Sequence, residues 1–410
     1  MGKNHCENGL LDMSVNLESQ KKTKALIFIR NYLPGFRSGG PVRSVANIVK
    51  ALSSEYEFYI VCLNRDYGIN EPYPNIAQGE WAVLGETHVY YAADGELSFA
   101  FYRKILHEVV PDFIYLNSLF DRDFSIKPFI AAGRGLGVPI ILAPRGELSV
   151  GALGLKAFRK RIFIILTKAF KFYKCVSWHA SSVSEQDRIL SVFAPERLRI
   201  FLASNLPDAP KQVLVKKIIK KPGALRIVLA ARISPMKNTL AAIRMAAQLK
   251  SDIELDLWGP LENTGYWSAC QQQVQLCPPN VKVHYRGEVE HEKLHALLQG
   301  YDLMLLPTLG ENFGHSIIEA LSAGLPVIIS NRTPWKNLMA EGVGADLPLE
   351  DELEFVRQLE YFQSMGEREM ENVRSACRRY AEAWQVKHAN PSEHHKMFDM
   401  VIASRAKTCR

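Results

Sequence analysis

Two carboxylates stand eight positions apart in GENFGHSIIEALSAGLPVIIS, residues 310–330. Glu311 lies in the loop after a predicted buried strand, DLMLLPT, and Glu319 lies in the predicted helix that follows. If the segment were wholly helical, the two carboxylates would be about 12 Å apart. They would then be too far apart to act on one bond, as the acid pair of a glycosidase does. The pair is better suited to contact one elongated ligand at two places.

The loop between the carboxylates predicts an anion site. The amides of Asn312, Phe313 and Gly314 lie at a helix N-terminus, where free N–H groups and the helix dipole attract phosphate. In open parallel sheets, ligands bind beyond the carboxyl ends of the strands, which is where this loop begins. A carboxylate, an anion site and a second carboxylate fit a sugar, a diphosphate and a ribose in that order. We therefore interpret the segment as a binding site for a nucleotide sugar.

Two further loops offer groups for a diphosphate. In LAARISPMKN, Arg232 and Lys237 follow a predicted strand, and such a cation pair can neutralise a departing diphosphate without a metal. In NYLPGFRSGGPVRS, Gly39 and Gly40 lead into a helix, so backbone amides can approach a phosphate or a sugar closely. The alternatives are a surface ion pair for the cations and an ordinary turn for the glycines.

The elements that must position these loops form two alternating series of buried strands and helices. The predicted strands are 25–30, 58–63, 88–92, 113–117 and 138–143, then 225–231, 254–259, 281–287, 302–308 and 325–330. This alternation predicts the α/β class, with two parallel, doubly wound sheets. The predicted divisions are a disordered tail (1–23), a first Rossmann-like domain (24–205), a Pro- and Lys-rich linker (206–223), a second Rossmann-like domain (224–390) and a C-terminal helix that can cross back (391–410).

The composition sets limits on the class of protein. A chain of 410 residues with 47% hydrophobic and 23% charged residues fits a globular protein of two domains. Because it has no run of eighteen apolar residues and no apolar signal core, we expect it to be cytoplasmic. Its seven cysteines form no CxxC pair, so we expect reduced thiols rather than a disulfide framework or a zinc site.

The segment KAFRKRIFIILTKAFKFYK, residues 156–174, holds only basic charges, interleaved with large apolar residues. It predicts either a surface helix with an apolar core face or attachment to an anionic membrane surface, such as the inner membrane face. At such a surface each Lys or Arg contributes about 1 kcal/mol. Nucleic acid is not expected as a partner, because no recognised reading motif accompanies the segment.

The E-x7-E element and the A-x-x-x-G-x-P-V-I turn, read here as ENFGHSIIEALSAGLPVI, resemble the retaining GT-B glycosyltransferases of family 4, the group 1 glycosyl transferases. The resemblance covers nearly the whole chain after the tail. It implies two facing Rossmann-like domains with a cleft between them, the first domain binding the acceptor. It also implies that Glu311 contacts the transferred sugar, that Glu319 contacts the ribose, and that Arg232 and Lys237 contact the donor diphosphate.

The chain departs from the family pattern at two places. Many members have a histidine where APRGELSVGAL has Arg145, so we expect Arg145 to bind a donor phosphate in place of an imidazole contact with the sugar. The segment Thr333–Trp335 stands where a glycine pair is common, and it is expected to reshape the pocket wall. His179 is interpreted as structural. The aspartates of Asp121–Asp123 are interpreted as capping residues, so no metal and no cofactor are predicted.

The resulting prediction is a glycosyltransferase that moves a hexose from a UDP- or GDP-sugar to a lipid-linked or polysaccharide acceptor. Retention of configuration, by front-face displacement without a metal, is implied only by the resemblance. A phosphorylase or hydrolase of the same shape and a non-catalytic sugar-nucleotide-binding protein remain alternatives. A dinucleotide oxidoreductase is disfavoured, because the first strand lacks a following GxGxxG.

Overall fold

A computed structural model describes residues 22–133, 137–154, 157–208 and 219–404. Almost all of the predicted tail and the greater part of the predicted linker lie outside these described residues. The described residues form two sheets, one of eight strands and one of six. The predicted class, two doubly wound α/β domains, is confirmed.

The first sheet has the order β3-β4-β2-β1-β5-β6-β7-β8, and its strands are parallel except β3, which is antiparallel to β4. Its strands are β1 (Thr23–Phe28), β2 (Tyr56–Leu63), β3 (Trp81–Leu84), β4 (Thr87–Ala92), β5 (Phe113–Leu116), β6 (Ile140–Leu142), β7 (Ser177–Ala180) and β8 (Ile200–Leu202). Its helices are α1 (Gly40–Leu52), α2 (Phe99–Val109), α3 (Lys127–Ala132), α4 (Val150–Gly154), α5 (Ala157–Ala169) and α6 (Val183–Phe193).

The second sheet is parallel throughout, in the order β11-β10-β9-β12-β13-β14. Its strands are β9 (Leu225–Ala230), β10 (Ile253–Trp258), β11 (Val281–Gly287), β12 (Leu303–Leu306), β13 (Val327–Ser330) and β14 (Gly344–Leu347). The helices that follow are α7 (Thr239–Ala246), α8 (Thr264–Gln275), α9 (His291–Leu298), α10 (His315–Ser322), α11 (Glu352–Ser364), α12 (Glu367–His388) and α13 (Ser392–Ala403).

The central strands are buried on both faces. In β1, Leu26 and Phe28 pack into one core and Ala25 and Ile27 into another. Successive side chains of a strand point to opposite faces, so a strand covered by helices on both sides must be apolar at consecutive positions. This explains why the central strands could be predicted from short continuous apolar runs in the sequence.

In each sheet the strand order reverses direction at one point, between β1 and β5 in the first and between β9 and β12 in the second. Loops that leave neighbouring strands on the two sides of such a point diverge and open a crevice. The loop after β1 carries Gly39 and Gly40, and the loops after β9 and β12 carry Lys237 and Glu311. The topology therefore places the predicted site residues at these two crevices.

The last helix, α13, lies against the first domain. Met397, Phe398 and Val401 are buried in a core formed with β1, β2 and α1, and the Phe398 ring lies 4.7 Å from the ring of Phe113. The described part of the chain thus has its first strand and its last helix in the same domain.

Some elements had no clear signal in the sequence. The short strands β3, β7, β8 and β14, of three or four residues each, were not predicted. The expectation of reduced thiols holds for Cys62, Cys270, Cys277 and Cys377, which are free, but it is wrong for Cys175, which is disulfide-bonded.

Candidate active site

A cleft of about 1160 Å³ lies between the two domains. Its walls are formed by segments that follow β1, β6 and β7 in the first domain and β9 to β13 in the second. Small-molecule sites of α/β proteins occur in such crevices and at domain interfaces. Every candidate residue named from the sequence lines this cleft: Gly39, Gly40, Arg145, Arg232, Lys237, Glu311, Asn312, Phe313, Gly314 and Glu319.

Lys237 and Glu311 form an ion pair on the second-domain wall. The loops that carry them are joined at Met236, whose carbonyl accepts a hydrogen bond from the Leu309 amide at 2.8 Å and another from Thr308 Oγ1 at 3.0 Å. The two side chains are only 14% and 13% exposed, so the charges compensate each other in a mostly desolvated place. An anionic ligand entering there meets a cation that is already oriented.

Arg232 lies on the same wall, directly after β9. One of its terminal nitrogens is 3.2 Å from a carboxylate oxygen of Glu262, which follows β10. Both predicted diphosphate-binding cations therefore have carboxylate partners when the cleft holds no ligand. Such partners limit the cost of keeping a charge partly buried and hold the side chain in one orientation.

Glu319 is linked through His291 to Asp208. Nδ1 of His291, the first residue of α9, is 3.2 Å from Glu319, and Nε2 is 3.1 Å from Asp208. Burial alone would lower the pKa of His291, but its hydrogen bonds to Asp208 and Glu319 raise the pKa above the ordinary value. Burial opposes ionisation of Asp208, yet the hydrogen bond and charge of His291 lower the pKa of Asp208 to about 2. The His291 ring thus bridges two carboxylates, both of which favour its protonated form.

The amides of Asn312, Phe313 and Gly314 donate no hydrogen bond within the described part of the chain, and they precede α10. Gly314 caps this helix with a φ of 83°, a conformation that suits glycine. The loop is supported from behind by Trp335, whose Nε1 donates to the carbonyl of Phe313 at 2.6 Å. The segment Thr333–Trp335 therefore supports the amide loop as well as shaping the wall.

On the first-domain wall, Gly39 has a φ of 67° and α1 begins at Gly40 without a side-chain cap. Arg43, in the first turn of α1, forms no ion pair within the described residues. Burial lowers the pKa of Arg43, and the nearby charges of Asp208 and Glu319 oppose that shift. A helix N-terminus and a guanidinium that has no direct ion-pair partner among the described residues therefore face the cleft together.

Arg145 lies on the first-domain wall, but the structure directs its guanidinium toward the first sheet. Nε donates to Asn117 Oδ1 at 2.7 Å, one terminal nitrogen donates to the Tyr115 hydroxyl at 2.7 Å, and another donates to Asn205. All three acceptors are neutral, so no ion pair within the described residues compensates the charge of Arg145. A direct phosphate contact through these same donors would require them to change partners.

Two structural interpretations from the sequence agree with the geometry. His179 is buried, with Nδ1 2.6 Å from the Tyr115 hydroxyl and Nε2 2.7 Å from the Ala203 carbonyl. The Asp121 carboxylate accepts hydrogen bonds from the amides of Asp123 and Phe124 and pairs with Arg30 at 2.7 Å. These side chains support the first domain rather than line the cleft.

Among the described residues, two groups of side chains have a geometry that could hold a metal ion. In the described part of the chain two groups have ligand atoms within 4.8 Å of one another: Asp208, His291 and Glu319, and Glu254, Asp256 and His284. In the first group both ring nitrogens of His291 are engaged with carboxylates, so the group is already satisfied without an ion. Metal independence stays a prediction.

Three residues of the site were missed from the sequence. His291 opens a helix after an edge strand, Asp208 lies in the linker, and Arg43 lies one turn into α1. None belongs to a recognised motif, and the structure identifies them because all three lie near Glu319. A cation one turn after the Gly39–Gly40 pair was the one available signal, and it pointed to Arg43.

The basic segment forms α5 on the surface of the first domain. Phe158, Ile165 and Phe170 are 77%, 64% and 76% exposed, whereas Phe163 and Ile164 pack against the core. Apolar side chains thus point both inward and outward, and the outward ones lie among the cations. Among the described helices, none has the length and apolarity needed to cross a membrane.

Comparisons with known proteins agree with this architecture. Residues 211–384 match the family described as "Glycosyl transferases group 1". A curated relative, MMP alpha-(1->4)-mannosyltransferase from Mycolicibacterium hassiacum, is 28% identical over 173 residues, which is 40% of this chain. The matched part spans 38% of that relative's length.

Solved structures resemble the whole two-domain arrangement. Sucrose-phosphate synthase from Thermosynechococcus elongatus has a TM-score of 0.67 at 15% identity, covering 94% of this chain and all 100% of its own. WaaG, a glycosyltransferase of lipopolysaccharide biosynthesis, has a TM-score of 0.62 at 12% identity, covering 92% of this chain and 99% of its own. Anabaena HepE, solved with UDP and glucose, has a TM-score of 0.62 at 17% identity, covering 90% of this chain and 97% of its own. Over residues 211–384 this chain is thus similar to the group 1 glycosyl transferases, and its two facing domains have the GT-B fold.

Proposed function

We propose that the protein is a glycosyltransferase that moves a hexose from a nucleotide sugar, held by the second domain, to an acceptor held by the first. The observation that carries this proposal is the second-domain wall of the cleft. There two cations, Arg232 and Lys237, lie with two carboxylates, Glu311 and Glu319, around backbone amides that donate no hydrogen bond within the described residues. This set of groups matches the diphosphate, the sugar and the ribose of a nucleotide sugar.

In the proposed reaction, Arg232 and Lys237 neutralise the charge that develops on the leaving diphosphate, which is the main electrostatic task. Glu311 accepts a hydrogen bond from a hydroxyl of the transferred sugar, and Glu319 accepts hydrogen bonds from the ribose. Lys237 and Glu311 begin as an ion pair, so donor binding exchanges that pair for contacts with phosphate and hydroxyl groups. Closure of the two domains excludes water and so limits hydrolysis.

Retention by front-face displacement, without a metal, is part of the proposal. The first-domain carboxylates that line the cleft, Glu147 and Glu185, are both engaged in hydrogen bonds. Glu147 accepts from Ser118 and from the amide of Leu119 at 2.6 Å, and Glu185 accepts from the amide of Gly146 at 2.6 Å. This favours a mechanism in which positioning, rather than a carboxylate nucleophile on the first domain, produces the rate.

UDP is the proposed nucleotide, with GDP as the alternative. HepE was solved with UDP and glucose, and the curated relative is a mannosyltransferase, so a hexose is the expected group. A lipid-linked or polysaccharide acceptor at an anionic membrane surface is proposed from α5, because cations and exposed aromatic rings occur there together. Arg145, with its uncompensated charge, is proposed to attract a phosphate to the first-domain wall.

A thermal-shift screen with UDP, GDP, ADP and their common sugars tests the donor site, because a ligand that binds only the native state raises the melting temperature. We expect UDP and UDP-hexoses to raise the melting temperature most, in the presence of EDTA. A protein that none of these ligands stabilises would contradict the proposal. A phosphorylase or hydrolase would instead release nucleotide or sugar phosphate without an acceptor sugar, and product analysis separates these cases.

A further inference from the structure

The loop that carries Glu311 also contacts the first domain. In this loop, residues 311–315, the Asn312 side-chain nitrogen donates to Ser181 Oγ and lies 3.1 Å from a carboxylate oxygen of Glu185. Ser181 directly follows β7 and Glu185 lies in the first turn of α6, so both acceptors belong to the opposite wall of the cleft. The residue next to Glu311 is therefore bound across the domain interface.

The first domain presents these acceptors as a preformed socket, made of Ser181 and Glu185. Glu185 is only 4% exposed. Its carboxylate accepts hydrogen bonds from the Gly146 amide at 2.6 Å, the Ser181 amide at 2.8 Å and Ser181 Oγ at 2.9 Å. Because Ser181 donates its hydroxyl hydrogen to Glu185, its oxygen is left as an acceptor for Asn312. The side-chain amide of Asn312 completes this buried hydrogen-bond network, whose other members all belong to the first domain.

The fit of Asn312 is steric as well as polar. Gly146 has a φ of 81°, and a side chain there would place its Cβ 3.1 Å from the Cβ of Asn312. A larger residue at 146 would be strained by this φ and would require Asn312 to shift by a few tenths of an ångström. At the other end of the loop, His315 Nε2 lies 3.2 Å from Ser44 Oγ of α1. Burial lowers the pKa of His315 to about 3, so this second contact is between neutral groups at ordinary pH.

We propose that Asn312 is a positioning residue, which sets Glu311 in its working position only when the domains are closed. The inference rests on the proposed function. Asn312 and Glu311 share a peptide unit, and the Glu311 amide is anchored to the Arg332 carbonyl at 3.0 Å. Docking Asn312 in the socket therefore restrains this loop on the side that faces the first domain. When the domains separate, the loop loses this restraint, and the sugar-contacting carboxylate loses its defined position.

The test compares Asn312→Ala and Ser181→Ala with wild type. In small-angle scattering of the ligand-free protein, both variants are expected to have a larger radius of gyration. In transfer from UDP-glucose or another UDP-hexose that stabilises the wild type, both are expected to lose about 10- to 100-fold in kcat. The affinity for UDP itself is expected to stay within about twofold, because the proposed nucleotide contacts belong to the second domain. The double variant is expected to be no worse than Asn312→Ala alone.

Arg37→Gln is the matched control. Arg37 and Glu288 form another ion pair across the domains, at 2.5 Å, without touching the 311–315 loop. This variant is expected to open the protein in solution but to retain kcat within about twofold at saturating donor. If Arg37→Gln lowers kcat as much as Asn312→Ala does, the effect is general loosening and the proposal is wrong.

Two other outcomes would overturn the inference: unchanged scattering and kcat in both single variants, or fully additive losses in the double variant. If Asn312→Ala fails to fold, Ser181→Ala carries the comparison, since it removes one acceptor of Asn312 and one donor to Glu185 but leaves the 311–315 loop unchanged. Failure of the proposed function is recognised separately. In that case the wild type neither binds UDP or GDP nor transfers sugar, whatever scattering shows for the variants.

Discussion

Lys237 is the residue whose substitution we expect to reduce activity most, because it is proposed to neutralise the leaving diphosphate. It forms an ion pair with Glu311 in a place where both side chains are mostly buried. We expect Lys237→Ala to lower kcat by about 10²- to 10³-fold, because one fixed positive charge facing the leaving group is lost. Transfer measured at saturating UDP-hexose checks this. Lys282→Ala, which removes the same charge from an exposed position of β11, is the control, and equal activity of the two variants would remove Lys237 from the site.

His291 makes the linkage between the domains dependent on pH. A histidine whose pKa is raised in the folded state stabilises that state below its unfolded pKa of about 6.5, and this stabilisation is lost as pH rises through the folded value. Asp208, with a pKa of about 2, keeps its charge to low pH, so the pair is complete in mildly acidic solution. The bridge of Asp208, His291 and Glu319 is therefore strongest there.

We expect His291→Gln to lower the stability by about 1.5–3 kcal/mol near pH 5.5, the range for hydrogen bonds to charged groups. The difference from wild type is expected to shrink toward pH 9. Urea unfolding at a series of pH values measures it. His107→Gln, on the exposed face of α2, is the control. A destabilisation by His291→Gln that is the same at every pH would show that the imidazole acts only by packing.

Among the elements, α5 has the clearest separate role. It is a surface helix with outward aromatic and aliphatic side chains among its cations. A sheet requires only the inward face of such a helix, so the outward apolar side chains are unexplained by the fold. An anionic lipid surface would bury those side chains and neutralise the cations.

We expect the protein to float with phosphatidylserine vesicles at low salt, and not with phosphatidylcholine vesicles. Arg159→Gln/Arg161→Gln should weaken binding about 30-fold, from about 1 kcal/mol for each cation. Phe158→Ser/Phe170→Ser should also weaken it, even at low salt, through the loss of apolar burial. Lys293→Gln/Arg357→Gln, on the exposed surface of the second domain, is the charge-matched control. Absence of wild-type flotation at low salt would contradict the membrane proposal.

At the scale of the whole molecule, the chain returns to its first domain. Phe398 in α13 is 1% exposed and its ring lies 4.7 Å from that of Phe113 and 5.2 Å from that of Tyr56. The second domain is connected to the first domain on both sides, by the chain that precedes it and by α13, which follows it. These two connections restrict its rotation to bending near them. Such an arrangement suits opening and closing about a hinge.

We expect Phe398→Ala to destabilise the first domain by about 3–5 kcal/mol, the usual cost of removing a buried aromatic ring. Chemical unfolding followed by first-domain tryptophan fluorescence measures this loss. Met400→Ala is the control, because Met400 lies in the same helix and is 44% exposed. A loss below 1 kcal/mol for Phe398→Ala would mean that α13 is peripheral to that core.

Much of the fold was predictable because the core strands are apolar at consecutive positions. The ten predicted strands all appear, as in β1 and β12, whereas β7 (SWHA) and β14 (GADL) were missed. Each of these two segments has only one large apolar residue, too few to establish a period, and their pairing partners, not their own sequence, hold them in the sheet. Cys175 is a similar case, because its bonded state depends on spatial proximity that spacing does not reveal.

By itself, the sequence determined the types of groups available: paired carboxylates, two loop cations, a glycine pair and an amide loop before a helix. These are local features, since strand ends, caps and glycine conformations depend on a few neighbouring residues. Only the tertiary structure decided which groups meet. It joined Lys237 to Glu311, brought His291 and Asp208 to Glu319, turned Arg145 toward the first sheet, and inserted Asn312 between Ser181 and Glu185. These contacts join residues as many as 131 positions apart, and the packing of two domains, not local sequence, sets such distances.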